Sequence, residues 1–156
     1  MVTAIIPAFG KADLTRQAIA RLRQQTHPPE EILVVDDGSP TPFATPDARV
    51  LRHDTNRGFA AAVNTGLRAA RTPLVAILNN DVTLAADWFK RLTNTIAEQN
   101  ADFVCGKLYR PDGRIDGTFD LLCRGGLAWR AGAGQVDGPL WSRPQAISFV
   151  SFTAVL

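Results

Sequence analysis

Three clusters of acidic and amide side chains are the residues of this sequence best suited to chemistry: Asp36-Asp37-Gly38-Ser39, Asp54-Thr55-Asn56-Arg57-Gly58 and Asn79-Asn80-Asp81. A fourth cluster, Pro7-Ala8-Phe9-Gly10, lacks charge but offers an aromatic ring. Asp, Asn and Gly are also the commonest turn residues, so any one cluster alone reads as a turn. Together they describe a site rich in carboxylates. Such a site repels a diphosphate unless a divalent cation stands between them, so a phosphate ligand here implies Mg²⁺ or Mn²⁺. The cation would neutralise charge developing on the β-phosphate as its bond to a sugar breaks. The other common phosphate cradles are missing, since the chain holds neither GxxxxGK[ST] nor a GxGxxG opening its first helix.

The clusters are separated by short apolar runs and by stretches of helical period, and that alternation predicts βαβ units. Val2-Thr3-Ala4-Ile5-Ile6 predicts a strand, followed by a helix capped by Asp13 with Leu14, Ala18 and Leu22 on one stripe. Glu31-Ile32-Leu33-Val34-Val35 is apolar almost throughout, which suits a parallel strand buried on both faces. Val50-Leu51-Arg52 predicts a short third strand, and Phe59, Val63, Leu67 and Ala70 mark the next helix. Leu74 to Leu78 is the clearest buried strand, and Trp88, Phe89, Leu92 and Ile96 define a third amphipathic helix. A fifth strand is expected to begin at Phe103-Val104-Cys105, and Pro111-Asp112-Gly113 predicts a turn. Residues 117–146, rich in Gly and Arg, read as a long loop, with a strand-like Ile147 to Phe152 after it. In open parallel sheets ligands bind beyond the carboxyl ends of the strands, and all four clusters fall at such ends.

Composition sets the outer limits. The 156 residues carry 17 Lys and Arg against 15 Asp and Glu, a net charge of +2, which excludes a strongly basic nucleic-acid binder. With 46% hydrophobic residues the chain matches one ordinary globular domain over 1–156. No apolar run approaches the roughly 20 residues of a membrane span, and MVTAIIPAFG lacks the basic run and cleavage site of a signal peptide. A soluble, cytoplasmic protein is expected. Cys105 and Cys123 form no metal-binding pair and read as small apolar core or surface residues. His27 and His53 read as surface residues beside turns, Trp88 and Phe89 as core, and the Arg-rich segment from Arg124 to Arg143 as a solvated loop.

Four segments in order, Ile5-Ile6-Pro7-Ala8-Phe9, Ile32 to Ser39, Asn56 to Gly66 and Leu78-Asn79-Asn80-Asp81-Val82, resemble the family 2 glycosyltransferases. The resemblance covers almost the whole chain and implies the GT-A fold, a Rossmann-like three-layer α/β sandwich with a mainly parallel sheet. Gly106 to Ile115 further resembles the rhamnosyltransferase-like branch. The resemblance implies a nucleotide diphosphate sugar as donor, a glycan or lipid-linked acceptor, transfer with inversion, and work on cell-surface polysaccharide, with peripheral association at the inner membrane face. It places Pro7, Ala8 and Phe9 beside the nucleobase and the Asp36-Asp37 pair at its edge. A carboxylate there suits UDP or dTDP, because N3–H of uracil or thymine donates to it, whereas N3 of cytosine presents a lone pair.

Asp81 matches the last Asp of the family's DxD metal motif, with Asn79 in place of the first Asp, one negative charge fewer. Asn79 and Asn80 are expected near the ribose or the metal's water shell. Gly10 departs from the polar residue usual in the family. Asn56, Gly58, Asn64 and Gly66 are implied in shaping the nucleotide pocket, although Gly58 and Gly66 equally suit close helix packing. Asn64, unfavourable in mid-helix, should have a partner.

An inverting transfer needs a general base. The family's base lies downstream of the segment resembled by Ile147 to Leu156, and the context of Asp116, Asp120 and Asp137 recommends none of them. The chain is therefore expected to be a C-terminally truncated, nucleotide-sugar-binding portion with weak activity or none. A non-catalytic nucleotide-binding module is the alternative reading. A phosphoacceptor signalling domain also uses acidic groups at strand ends with Mg²⁺, but would need its acidic pair after the first strand, where Pro7-Ala8-Phe9 stands.

Overall fold

The computed structural model describes residues 1–147 and 149–156. Four strands, β1 (Val2–Ala8), β2 (Glu31–Asp36), β3 (Arg49–Arg52) and β4 (Leu74–Leu78), alternate with three helices, α1 (Ala12–Arg23), α2 (Phe59–Ala69) and α3 (Trp88–Gln99). Beyond α3 come two short hairpins, β5 (Leu108–Tyr109) with β6 (Ile115–Gly117) and β7 (Asp120–Leu122) with β8 (Ala128–Arg130). A 3₁₀ turn at Pro139–Trp141 and a last strand, β9 (Ala154–Val155), follow.

The central sheet has the order β3-β2-β1-β4-β9, parallel except for β9, which runs antiparallel to β4. Its two faces are both covered, which explains the unbroken apolar runs. Ala4 and Ile6 of β1 and Ile32 and Val34 of β2 pack on one face with Ala18, Ile19 and Leu22 of α1 and with Trp88, Phe89 and Leu92 of α3. The alternate residues Ile5, Leu33 and Val35 pack on the other face with Ala62 of α2. Helices on both faces of a mostly parallel sheet make a three-layer α/β sandwich. Gly66 is where α2 comes nearest the sheet: a Cβ there would stand 2.5 Å from Cγ2 of Ile5, so the close packing read from sequence is directed at β1. Trp88 and Phe89 are buried edge-to-face, with centroids 5.0 Å apart, as expected of core.

Several elements differ from the sequence reading. Lys11, at φ 49°, precedes α1 in the capping position, and Asp13 lies in the first turn, where it pairs with Arg16. The fifth strand of the sheet is β9, while Cys105 contributes a single bridge to Val155, and Val104 exchanges backbone hydrogen bonds with Leu156. Of the segment Ile147 to Phe152, Ser148 lies outside the described residues and the others form no strand. Residues 117–146 hold the β7–β8 hairpin and a 3₁₀ turn, because the turn at Cys123-Arg124-Gly125-Gly126 closes on Cys123 and Gly126 takes φ 81°. The Pro111-Asp112-Gly113 turn is present, with Gly113 at φ 81° and Oδ1 of Asp112 accepting the Arg114 N–H. Both cysteines are free thiols. No helix among the described residues is long and apolar enough to cross a membrane.

Candidate nucleotide site

Register brings the clusters together. Ala8 pairs with Asp36 and Asp36 with Arg52, so three strands end level with one another. The ladder continues one step past them: Ala8 C=O accepts the Asp37 N–H at 2.8 Å and Asp36 C=O accepts the His53 N–H at 2.9 Å. On the other side Ile5 pairs with Ile77 and β4 ends at Leu78, so the turn holding Asn79, Asn80 and Asp81 lies at the same end of the sheet. One end of the sheet therefore carries the loops after β1, β2, β3 and β4.

Adjacent residues Asp36 and Asp37 point into different surroundings, as successive residues of an extended chain must. Asp36 is fully buried and holds the loop after β2: its carboxylate accepts the Ser39 and Phe43 N–H groups, each at 3.0 Å, and pairs with the Arg52 guanidinium. Burial pushes its carboxyl up, but the Ser39 hydroxyl and these amides, with Arg52, outweigh it and hold it below the usual carboxylate range. Its acceptors face the protein, not the open end of the sheet. Arg52 also donates to Ser39 C=O at 2.9 Å, and Ser39 Oγ accepts the Gly10 N–H at 2.8 Å, tying the loop after β1 to that after β2.

Asp37 is nearly as buried and holds the start of α2. Its Oδ1 accepts the Arg57 N–H at 3.0 Å and lies 2.6 Å from Nδ1 of His53, and its Oδ2 accepts the Gly58 N–H at 2.8 Å. Burial raises this carboxyl, and the Arg57 amide, the His53 ring and the Gly58 amide more than reverse the effect, leaving it below the usual range. His53 is only 7% exposed, which corrects its reading as a surface residue, and its Nε2 meets Thr65 Oγ1 of α2 at 2.9 Å. Sequence reasoning missed it because a lone His after a weak strand carries no local signal; its position one residue past the partner of Asp36 was the only clue.

Phe9 is 52% exposed at the end of β1, beside half-buried Pro7 and buried Ala8. Asn56 is exposed and its Oδ1 accepts the Gly58 N–H at 3.1 Å, while Gly58 takes φ 87° to start α2. Asn64 is exposed on α2, and the partner expected for it is absent among the described residues. Asn80 Nδ2 donates to Thr15 Oγ1 at 3.1 Å, turning that side chain toward α1. Asn79 is half-buried and its N–H is held by Thr153 C=O at 3.0 Å. Asp81 is exposed and enters none of the ion pairs among the described residues.

These residues fit a divalent cation in one particular way. No group of three or more His, Cys, Asp or Glu among the described residues could hold a metal by itself. Asp81 offers an uncommitted hard-oxygen ligand, and Asn79 a carbonyl oxygen in the same turn. Mg²⁺ is commonly held by one or two carboxylates together with substrate phosphates and water, so the donor set suits a cation that arrives with a diphosphate.

Both carboxyls of the Asp36-Asp37 pair lie below the unfolded value near 4. As pH falls the unfolded chain therefore takes up protons first, so the stabilisation is complete above about pH 5 and is lost on descent through the folded-state values. Thermal unfolding followed by circular dichroism should give a midpoint insensitive to these groups between about pH 5 and 7 and falling steeply below about pH 4. A midpoint that rises on acidification would contradict this account.

A mostly parallel sheet with helices on both faces and a carboxylate-bearing end is the architecture of the GT-A glycosyltransferases, and solved enzymes of that class share this fold. A mannosyltransferase from Pyrobaculum calidifontis, solved in complex with GDP-Man and Mn²⁺, superposes with a TM-score of 0.62 at 26% identity, over 71% of this chain and 36% of its own. Residues 3–130 match the model of glycosyl transferase family 2, and the chain belongs to that family. Among curated relatives, the pre-mycofactocin glycosyltransferase of Mycobacterium tuberculosis is 33% identical over 114 residues, 69% of this chain and 23% of that protein. The succinoglycan biosynthesis protein ExoO of Rhizobium meliloti is 38% identical over 98 residues, 58% of this chain and 28% of its own. The chain thus spans about a third or less of the length of these relatives.

Proposed function

We propose that this chain carries the nucleotide-diphosphate-sugar half-site of an inverting glycosyltransferase, in the rhamnosyltransferase-like branch, with UDP or dTDP as the nucleotide. The observation that carries this reading is the gathering of Phe9, Asp37 and Asp81 at one end of the parallel sheet. Phe9 supplies an exposed ring for a base to lie against, and Asp37 an anionic acceptor for a base N–H. Asp36 fixes the loop that presents Asp37, so the pair divides into one supporting carboxylate and one reading carboxylate. Asp81, with Asn79, would hold a Mg²⁺ or Mn²⁺ at the diphosphate. When bound, the cation supplies charge neutralisation for the departing diphosphate. Asn56, Gly58, Asn64 and Asn80 border the pocket in this reading. ExoO, named for succinoglycan biosynthesis, supports a glycan acceptor and a place in polysaccharide synthesis.

Calorimetry of UDP and dTDP with and without Mn²⁺ tests the reading. The chain should bind either nucleotide more tightly with Mn²⁺, and Asp81→Ala should remove that enhancement, weakening metal-dependent binding by at least about tenfold. Equal enhancement in Asp81→Ala would remove Asp81 from the metal site.

A second reading, a nucleotide-binding module without catalysis, is favoured by the later carboxylates. Asp116 pairs with Arg110 and Arg130, Asp120 with Arg130, and Asp137 with Lys107 and Tyr109. Lys107 and then Tyr109 hold the Asp137 carboxyl below its usual range, which weakens it as a base. Nucleotide binding with no transfer of sugar to any acceptor is the result that separates the two readings.

A further inference from the structure

His53 has both ring nitrogens engaged although it is buried at the edge of the nucleotide site. A carboxylate only accepts, so the 2.6 Å contact requires Nδ1–H of His53 to donate to Oδ1 of Asp37. In the neutral ring Nε2 is then the acceptor, and the Thr65 hydroxyl donates to it across 2.9 Å. The result is a directed chain from α2 through His53 to Asp37.

The chain matters because of what it leaves on Asp37. A carboxylate offers about four lone-pair sites, two on each oxygen. On Oδ1 both are taken, by His53 Nδ1 and by the Arg57 N–H at 3.0 Å; on Oδ2 the Gly58 N–H at 2.8 Å takes one. One acceptor position, on Oδ2, has no partner among the described residues. Uracil and thymine present one N–H at N3, which one site satisfies. Guanine presents N1–H and the N2 amino group side by side and needs two acceptors, while cytosine presents a lone pair at N3.

We propose that His53 is a specificity-determining positioning residue: by occupying Oδ1 of Asp37 it restricts the site to a base edge with a single N–H donor. The proposal rests on the reading of Asp37 as the base acceptor. Because the mannosyltransferase of similar fold was solved with GDP-Man, guanine is the discriminating competitor.

The test is calorimetry of UDP, GDP and CDP with Mn²⁺ on the 156-residue chain and on Asp37→Asn, His53→Ala and His53→Asn, each checked for folding by circular dichroism. The parent chain should prefer UDP to both others by at least about tenfold. His53→Ala frees Oδ1 and should bring UDP and GDP to within about twofold, while His53→Asn, whose amide N–H can replace Nδ1–H, should restore the preference for UDP. A UDP-to-GDP ratio unchanged in His53→Ala but lost in Asp37→Asn would overturn the role of His53 and leave Asp37 as reader. An unchanged ratio in Asp37→Asn, or a parent chain that binds GDP as tightly as UDP, would overturn both. Equal weakening of all three nucleotides in both His53 variants would show a merely structural histidine and overturn the proposal.

Discussion

Asp36→Ala should cost the chain about 2–6 kcal/mol of stability, since it orphans two buried amides at about 1–3 kcal/mol each. The carboxylate is fully buried and satisfies the Ser39 and Phe43 amides and the Arg52 guanidinium at once. Alanine leaves the Ser39 and Phe43 amides without their buried acceptor, and leaves the Arg52 guanidinium, which is partly open to water, without its partner. Domains of this kind are stable by only about 5–15 kcal/mol in total, so the variant should be largely unfolded in moderate urea where the parent is intact. Urea titration by tryptophan fluorescence measures this. Asp13→Ala is the control, because Asp13 pairs with Arg16 on an open surface and its loss should hardly move the midpoint. A loss below about 1 kcal/mol at Asp36 would mean that the loop relaxes to resolvate these groups.

The second large effect is expected at Gly38. Its φ is 73°, and a Cβ there would stand 2.4 Å from the carbonyl carbon of Thr55 and 2.5 Å from the amide nitrogen of Asn56. Two costs therefore combine in Gly38→Ala. Left-handed backbone costs an L residue about 1–2 kcal/mol, and overpacking against main chain, which cannot turn aside as a side chain can, adds about 1–3 kcal/mol. The displaced segment is the one that delivers the Arg57 and Gly58 amides to Asp37, so nucleotide binding should weaken along with stability. Thermal unfolding and UDP calorimetry on the same sample check both. Loss of stability with unchanged UDP affinity would show that residues 55–58 return to position once nucleotide is bound. Gly10→Ala is the informative comparison, since Gly10 also has positive φ, 60°, but meets open space, so only the backbone cost applies.

The amino-acid sequence by itself determined the alternation of strands and helices up to α3, the burial of β1, β2 and β4 on both faces, and the placing of acidic and amide groups at strand ends. These are properties of local pattern: the period of apolar residues, the β-branched runs and the turn residues act over a few positions. The family relationship was likewise legible, because its four motifs are contiguous. Tertiary structure decided what those local rules cannot express. Asp36 and Asp37 are identical in type and adjacent, yet one holds the loop after β2 and the other the start of α2, because the extended chain alternates its side chains. His53 meets Asp37 only through the register that sets Arg52 beside Asp36. The pairing of β9 with β4 depends on partners distant in sequence, and strand pairing over such distances is fixed by which edge is left open, not by the propensity of the paired residues.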